Sequence, residues 1–144
     1  YYFKNKTMKN VILYCRVSTK EQKENGYSLT AQERRLTDYC KLTKTTVKKI
    51  FIEDHSAKSF DRPEFQKMFD FVKQNKNTID EILFVKWDRF SRNVHQTYGM
   101  IVKFKKMGVV VNAVEQPIDV TIPENKIILA FYLTSPKIEM IKGQ

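Results

Sequence analysis

The sequence is poor in the residues that mark several common classes of protein. Its 144 residues include only 4 Gly and 4 Pro, which excludes collagen-like and linker-type chains. No apolar run approaches the roughly 18 residues that a membrane span requires. The amino end, YYFKNKTMKN, is polar and basic and lacks the cleavage pattern of a signal peptide. We therefore expect one compact cytoplasmic domain.

Several chemical motifs are missing as well. The chain has neither a GxxxxGKS/T nor a GxGxxG sequence, so nucleotide binding of those two kinds is not predicted. His55 and His95 have no ligand spacing with cysteine or with each other, and we predict no metal site. Cys15 and Cys40 lie in apolar patterns without CxxC spacing, which indicates buried thiols.

Positive charge is abundant. The 26 Lys and Arg residues exceed the 16 Asp and Glu residues by 10, and the pI is close to 9.6. Such a balance favours a polyanionic partner, of which nucleic acid is the simplest. Hydrophobic residues make up 42% of the chain, which is enough to bury a core.

Short apolar segments alternate with longer amphipathic ones. Strands are predicted over residues 11–17, 47–53, 81–87 and 109–114, and helices over 30–42, from 63 onward, 93–107 and from 123 onward. Parallel strands joined by helical crossovers place helices on both faces of a sheet. We predict an α/β fold: a three-layer sandwich with a mostly parallel central sheet of four to five strands.

Local patterns predict where these helices begin and end. Thr30 and Glu33 have capping-box spacing at the first helix, and Asp61 and Glu64 have it around Pro63 at the second. Gly108 is expected to end the third helix. The predicted inward faces are Phe65, Met68, Phe69 and Val72 in the second helix, and Ile127, Ile128, Phe131 and Tyr132 in the last.

Polar residues follow the first strand at the edge where parallel-sheet proteins bind their ligands. The two-residue period of a strand sends Arg16 and Ser18 to the same side. An arginine within an apolar strand requires a partner, because an unpaired guanidinium in a dry interior costs several kcal/mol. Arg16 is therefore expected to meet a carboxylate or to await an anion.

Further cationic groups map to the same edge. Asp88 and Arg92 have i, i+4 spacing after the third strand, with Arg89 between them, and Arg62 precedes the second helix. A single arginine is most often a surface ion pair and a single serine most often a cap. Four arginines around one hydroxyl are suited to a phosphoryl-transfer site, since guanidinium groups bind phosphate oxygens in pairs.

Four segments in order, YCRVSTKEQ, GYSLTAQ, DRPEFQKM and FVKWDRFSRN, resemble the catalytic domain of the serine site-specific recombinases, the resolvase/invertase family. The spelling GYSLTAQ is more similar to the large serine recombinases, which include integrases and transposases of phages and other mobile elements. The resemblance implies a resolvase-like fold and recombination of double-stranded DNA without metal or nucleotide cofactors. It also implies dimers that assemble into a synaptic tetramer.

The resemblance assigns roles residue by residue. It implies that Ser18 attacks a phosphodiester, which leaves a 5′-phosphoserine link and a free 3′-hydroxyl. The residues it places around Ser18 are Arg16, Arg62, Asp88, Arg89 and Arg92, with Gln22 and Gln32 as polar supports. Whether Arg89 or Asp88 handles the leaving-group proton stays open, because an arginine with a normal pKa above 12 is a poor acid.

The same resemblance divides the chain. Residues 1–10 are expected to be an amino-terminal extension, 11–122 the catalytic domain and 123–144 the start of an oligomerisation helix, in which Pro136 introduces a kink. No helix-turn-helix or zinc-finger pattern follows, so the DNA-reading domain is expected to be absent. Lys103, Lys105 and Lys106 are either weak phosphate contacts or simply a solvated helix face.

Two other functions are compatible with the residues. A metal-dependent nuclease would use Asp54, Asp61 and Asp88. Its DNA cleavage would require Mg²⁺ and would be retained in Ser18→Ala. A non-enzymatic α/β domain would have Arg16 ion-paired in its core and would never form a covalent adduct with DNA.

Overall fold

The computed structural model describes residues 8–17, 28–54 and 62–134. These residues contain four strands, β1 (Asn10–Arg16), β2 (Thr46–Glu53), β3 (Glu81–Phe84) and β4 (Val110–Ala113). The strands form one sheet in the order β2-β1-β3-β4, and every neighbouring pair is parallel. The predicted α/β sandwich is confirmed, with the lower of the two predicted strand numbers.

Within these described residues, five helices and one 3₁₀ turn connect and cover the strands. They are α1 (Leu29–Thr43), α2 (Pro63–Gln74), α3 (Trp87–Phe90), α4 (Val94–Lys106), the 3₁₀ turn (Pro123–Asn125) and α5 (Lys126–Thr134). None of the helices in the described residues is long and apolar enough to cross a membrane.

The two faces of the sheet bury separate clusters. On one face, Leu36 and Cys40 of α1 pack with Leu13 and Cys15 of β1. On the other face, side chains of α2, α3, α4 and α5 form a larger aromatic cluster around Tyr14. Both cysteines are therefore buried thiols, as predicted, and burial raises the pKa of Cys15 to about 12.

The first helix begins at a different cap from the one predicted. Ser28 is the N-cap of α1, and its Oγ accepts a hydrogen bond of 3.1 Å from the amide of Ala31. The predicted capping box of Thr30 and Glu33 is wrong because both residues lie inside the helix. The helix ends at Lys44, which adopts the left-handed conformation at φ 56°.

The second helix, α2, is capped by a side chain of strand β2. Arg62 occupies the N-cap position and gives no side-chain cap, and Pro63 is the first helical residue. The carboxylate of Glu53 accepts hydrogen bonds from the amides of Glu64 (3.1 Å) and Phe65 (2.7 Å). The N-cap is thus Arg62 and not the predicted Asp61, which itself lies outside the described residues. The predicted inward face is correct for the second helix, with Phe65, Met68 and Val72 buried and Phe69 partly buried.

The third strand ends earlier than predicted. Trp87, expected in the strand, is the first residue of the single-turn helix α3, and its amide donates to the side chain of Gln116 instead of to a neighbouring strand. The next helix agrees closely with the prediction. Asn93 caps α4 through the amide of Gln96, and Gly108 follows with φ +78°.

The inward face predicted for the last helix is wrong. Leu129 and Leu133 are the buried residues of α5, whereas Ile127, Ile128 and Phe131 are exposed and Tyr132 is partly buried. Since KIILAFYLT is apolar on every side, the sequence period does not distinguish the side that meets the protein. Contacts with the aromatic cluster on α3 and α4 determine it.

Candidate active site

Three strands deliver charged residues to one edge of the sheet. Arg16 is the last residue of β1, Arg62 follows β2 and immediately precedes α2, and Asp88 and Arg89 lie in α3 just after β3. Because β1, β2 and β3 are parallel, their carboxyl ends meet at this edge. The sequence prediction placed all four residues here, and the structure brings them together.

Arg16 is only 1% exposed and is bound by the backbone of α3. Its Nε donates to the carbonyl oxygen of Arg89 at 2.9 Å, and its Nη2 donates to that of Asp88 at 2.7 Å. The partners in these two bonds are therefore backbone carbonyl oxygens and not the predicted carboxylate or anion. These two bonds fix the plane of the guanidinium group. Because carbonyl oxygens carry no net charge, the bonds do not neutralise the positive charge of Arg16.

Arg62 is equally buried and lies against aromatic rings. It is 2% exposed, its Nη2 donates to the carbonyl oxygen of Phe90 at 2.6 Å, and its guanidinium carbon lies 5.2 Å from the ring centre of Phe65 and 5.7 Å from that of Tyr14. Burial lowers the pKa of Arg62, and the charge of Arg16 lowers it further, while Tyr14 and Glu53 oppose the shift. Two buried cations thus lie near enough to repel each other.

Asp88 joins the remaining two arginines. Arg89, which is 6% exposed, donates from Nε to Oδ1 of Asp88 at 3.2 Å and from Nη1 to the carbonyl oxygen of Arg16 at 3.5 Å. Arg92 reaches Oδ2 of Asp88 at 3.8 Å with half of its side chain exposed. Arg92 is therefore the most accessible of the four, and the i, i+4 pair predicted from the sequence is present.

Gln32 connects α1 to the end of β1. Its side-chain oxygen accepts from the amide of Arg16 at 3.2 Å, and its amide nitrogen donates to the carbonyl oxygen of Arg16 at 3.0 Å. The buried glutamine thus satisfies both backbone groups of Arg16, as a neighbouring strand would. Gln32 was predicted as a polar support of the site, and the structure places it against Arg16.

Glu53 and Tyr14 also belong to this edge, although the sequence pattern did not predict them. Glu53 is buried at the end of β2 and, besides capping α2, accepts a hydrogen bond of 3.1 Å from the hydroxyl of Tyr14. Burial raises the pKa of Tyr14, so the phenol remains a donor. The signal was available, because Glu53 shares strand parity with the buried Phe51, and an inward-facing carboxylate beside a cationic site requires a partner.

Other predicted residues lie elsewhere. Ser18, Gln22, Asp61 and His55 fall outside the described residues. The exposed residues Lys103, Lys105 and Lys106 occupy the last turn of α4, which runs from the carboxyl edge of the sheet toward its amino edge over about 18 Å. These lysines therefore lie toward the amino edge of the sheet, whereas the buried arginines lie at its carboxyl edge.

The arrangement is suited to holding negative charge. Three buried guanidinium groups lie side by side in a water-poor environment, where each acts more strongly on an anion than it would in water. Within residues 8–17, 28–54 and 62–134, no group of three His, Cys, Asp or Glu residues is placed to hold a metal ion. An edge of this kind is suited to binding an anion, and the planar guanidinium fork matches the geometry of phosphate oxygens.

Comparisons with known proteins agree with this geometry. The family model "Resolvase, N terminal domain" matches residues 11–139. The uncharacterized immunity region protein 3 of Bacillus phage phi105 is 41% identical over 69 residues, which are 47% of this chain and 84% of that protein.

Two solved structures have the same fold. The N-terminal catalytic domain of TP901-1 integrase superimposes with a TM-score of 0.73 and 26% identity, covering 94% of this chain and all of that one. The C-terminal catalytic domain of ISC1926 TnpA, an IS607-like serine recombinase, gives a TM-score of 0.64 and 26% identity over 83% of this chain and 76% of that one.

The chain is a parallel α/β domain with buried arginines at its carboxyl edge, and these relatives match it. It is therefore a catalytic domain of the serine recombinases, which are enzymes of DNA recombination. The chain belongs to the resolvase family, and residues 11–139 are its resolvase N-terminal domain.

Proposed function

We propose that Ser18 is the nucleophile of a DNA strand exchange reaction. Its Oγ attacks the phosphorus of a phosphodiester and loses its proton; a new Oγ–P bond forms and the P–O3′ bond breaks. The products are a 5′-phosphoserine link and a 3′-oxygen that takes up a proton. Attack of the 3′-hydroxyl of another strand reverses these steps, so the bond energy is kept and neither metal nor nucleotide is consumed.

One observation carries this proposal: Arg16, Arg62 and Arg89 are all buried and held by hydrogen bonds. Arg16 and Arg62 donate to backbone oxygens of α3. Arg89, which belongs to α3, donates to the Asp88 carboxylate and to the backbone of β1. Negative charge grows on the phosphoryl oxygens as the serine attacks, and preorganised cations stabilise it without further rearrangement. We assign Arg16, Arg62 and Arg92 to those oxygens. Asp88 and Arg89 are the candidates for the leaving 3′-oxygen.

The supporting parts follow the same scheme. Gln32 holds the backbone of Arg16 next to the segment that carries Ser18. Gln22 lies in that segment of the sequence, and we assign it the role of a second polar support. We propose double-stranded DNA as the substrate, a synaptic tetramer as the active assembly, and residues 123–144 as the start of its oligomerisation helix. The match to the N-terminal catalytic domain of an integrase supports our placing the chain in the integrase group of the large serine recombinases.

A covalent trapping experiment tests the nucleophile. The chain is fused to a sequence-specific DNA-binding module and given duplex DNA that carries two module sites and a nick next to the expected cleavage position. The wild-type fusion is expected to form an adduct in EDTA, and mass spectrometry should find the 5′-phosphate on Ser18. Ser18→Ala is expected to form none, because the attacking oxygen is gone.

Two further variants give the experiment its controls. Thr30→Ala removes an exposed hydroxyl outside the proposed chemistry and should form the adduct at the wild-type rate. Arg16→Ala should abolish the adduct while weak DNA binding stays nearly unchanged, since its charge acts mainly in the transition state. An adduct that persists in Ser18→Ala, or cleavage that requires Mg²⁺, would contradict the proposal and favour the metal-dependent nuclease.

A further inference from the structure

The single-turn helix α3 is the part of the molecule to which the buried arginines are attached. The carbonyl oxygens of Asp88, Arg89 and Phe90 accept the bonds from Arg16 and Arg62, and the Asp88 carboxylate accepts from Arg89. Any displacement of α3 therefore moves all three guanidinium groups together. A helix of four residues does not hold its own position, because helices of this length are unstable in isolation.

Gln116 binds the first residue of α3 at two points. Its side-chain oxygen accepts from the amide of Trp87 at 2.8 Å, and its backbone oxygen accepts from the indole Nε1 of Trp87 at 3.0 Å. The Trp87 amide stands at the start of α3, where helical amides have no partner within the helix. Gln116 supplies that partner from the segment after β4.

The segment that carries Gln116 is itself anchored to the sheet. The amides of Val114 and Glu115 donate to the carbonyl oxygens of Phe84 and Val85 at 2.8 and 3.0 Å, and the amide of Ile118 donates to the side chain of Asn112 at 3.1 Å. Gln116 is buried between these anchors. Its side chain thus transmits the position of β3 and β4 to α3.

We propose that Gln116 is a positioning residue of the active site, acting through Trp87 and α3 on Arg16, Arg62 and Arg89. This inference rests on the proposed function for its effect on catalysis, but its effect on the arginines is independent of that function. Loss of the side-chain acceptor leaves a buried amide unsatisfied at the start of α3. The turn then shifts or loosens, and the arginine geometry is lost with it.

The test uses two substitutions of similar length. Gln116→Met removes the acceptor and keeps the volume, whereas Gln116→Glu keeps an acceptor oxygen at the same distance from the backbone. Gln74→Met, on the exposed surface of α2, is the matched control. Trp87 is the only tryptophan in the chain, so its single indole N–H resonance in NMR reports on the contact directly.

The first readout is hydrogen exchange, which requires no DNA. In Gln116→Met, the Nε–H group of Arg16, which donates to the carbonyl oxygen of Arg89 in α3, is expected to exchange about tenfold faster, while the amides of β1 keep their protection. Gln116→Glu and Gln74→Met should retain wild-type exchange. Unchanged arginine exchange in Gln116→Met, equal acceleration throughout β1, or failure of Gln116→Glu to restore protection would each overturn the proposal.

The second readout is the covalent adduct described above. Gln116→Met should lower the rate of adduct formation about tenfold at saturating DNA, without changing the DNA concentration that gives half-maximal rate. A wild-type rate would overturn the proposal. If the wild-type chain itself forms no adduct, the proposed function fails, and hydrogen exchange still decides whether Gln116 positions the arginines.

Discussion

At the scale of single residues, buried charges of both signs lie together at the carboxyl edge of the sheet. Arg16 and Arg62 repel each other, and Glu53 is the buried carboxylate that opposes the repulsion at Arg62. Glu53 also receives the Tyr14 hydroxyl and two amides of α2. One side chain therefore stabilises both the helix that follows Arg62 and the charge of Arg62 itself.

This double role gives a stability prediction. Glu53→Gln should lower the free energy of unfolding by about 2 kcal/mol, because it removes the charge of a buried hydrogen-bonded carboxylate and one of the two capping acceptors. Urea denaturation of the purified chain measures the change. Asp54→Asn removes the same charge from the next residue, which is exposed, and should cost no more than about 0.5 kcal/mol. Equal losses in the two variants would show that Glu53 has no special role.

Residues of the site differed in how well the sequence predicted them. Arg16, Arg62 and Arg89 were placed correctly because the strand period and the parallel order of strands fix which edge they occupy. Glu53 and Gln116 were not predicted because their partners lie 11 to 39 positions away along the chain. A hydrogen bond at that separation depends on how elements pack, which no local pattern records.

At the scale of elements, the helix ends show how local signals compete. Ser28 and Thr30 are both capping residues by type and lie two positions apart, so the pattern permits two starts for α1. The structure uses Ser28, whose Oγ binds the Ala31 amide. This start leaves Gln32 in the first turn of α1, where it reaches both backbone groups of Arg16.

Thermal or urea denaturation distinguishes these two starts. Ser28→Ala should destabilise the chain by about 1 kcal/mol through loss of the cap. Thr30→Ala, in the exposed first turn, should be neutral or slightly stabilising because alanine has the higher helix propensity. A larger loss for Thr30→Ala than for Ser28→Ala would restore the capping box that the sequence pattern indicated.

At the scale of the whole molecule, charge and apolar surface are separated. The buried arginines lie at the carboxyl edge, the lysines of α4 lie at the amino edge, and α5 exposes Ile127, Ile128 and Phe131. The fold class and element order were predictable because the alternation of apolar and amphipathic segments is a property of the whole chain. The outer side of α5 was not, since a helix that is apolar all round carries no directional signal.

The exposed side of α5 gives the last prediction. Ile127 is 79% exposed, so Ile127→Lys should leave the free energy of unfolding within about 0.5 kcal/mol of the wild type. If 123–144 begins the oligomerisation helix, the same variant should weaken self-association at least about tenfold in sedimentation equilibrium. Leu42→Lys, at a position 84% exposed on α1, is the control and should not change association. Unchanged association of Ile127→Lys would exclude this side of α5 from the subunit contact.

The dependence of the arginines on α3, and of α3 on Gln116, has a consequence during synthesis of the protein. Arg16 and Arg62 leave the ribosome long before the carbonyl oxygens of residues 88–90 that hold them, and Gln116 emerges later still. Under the proposed mechanism, a nascent chain that already carries Ser18 lacks the geometry to cut DNA. Under the same mechanism, this order of residues delays DNA cleavage until β1, β2, β3 and β4 have all been made.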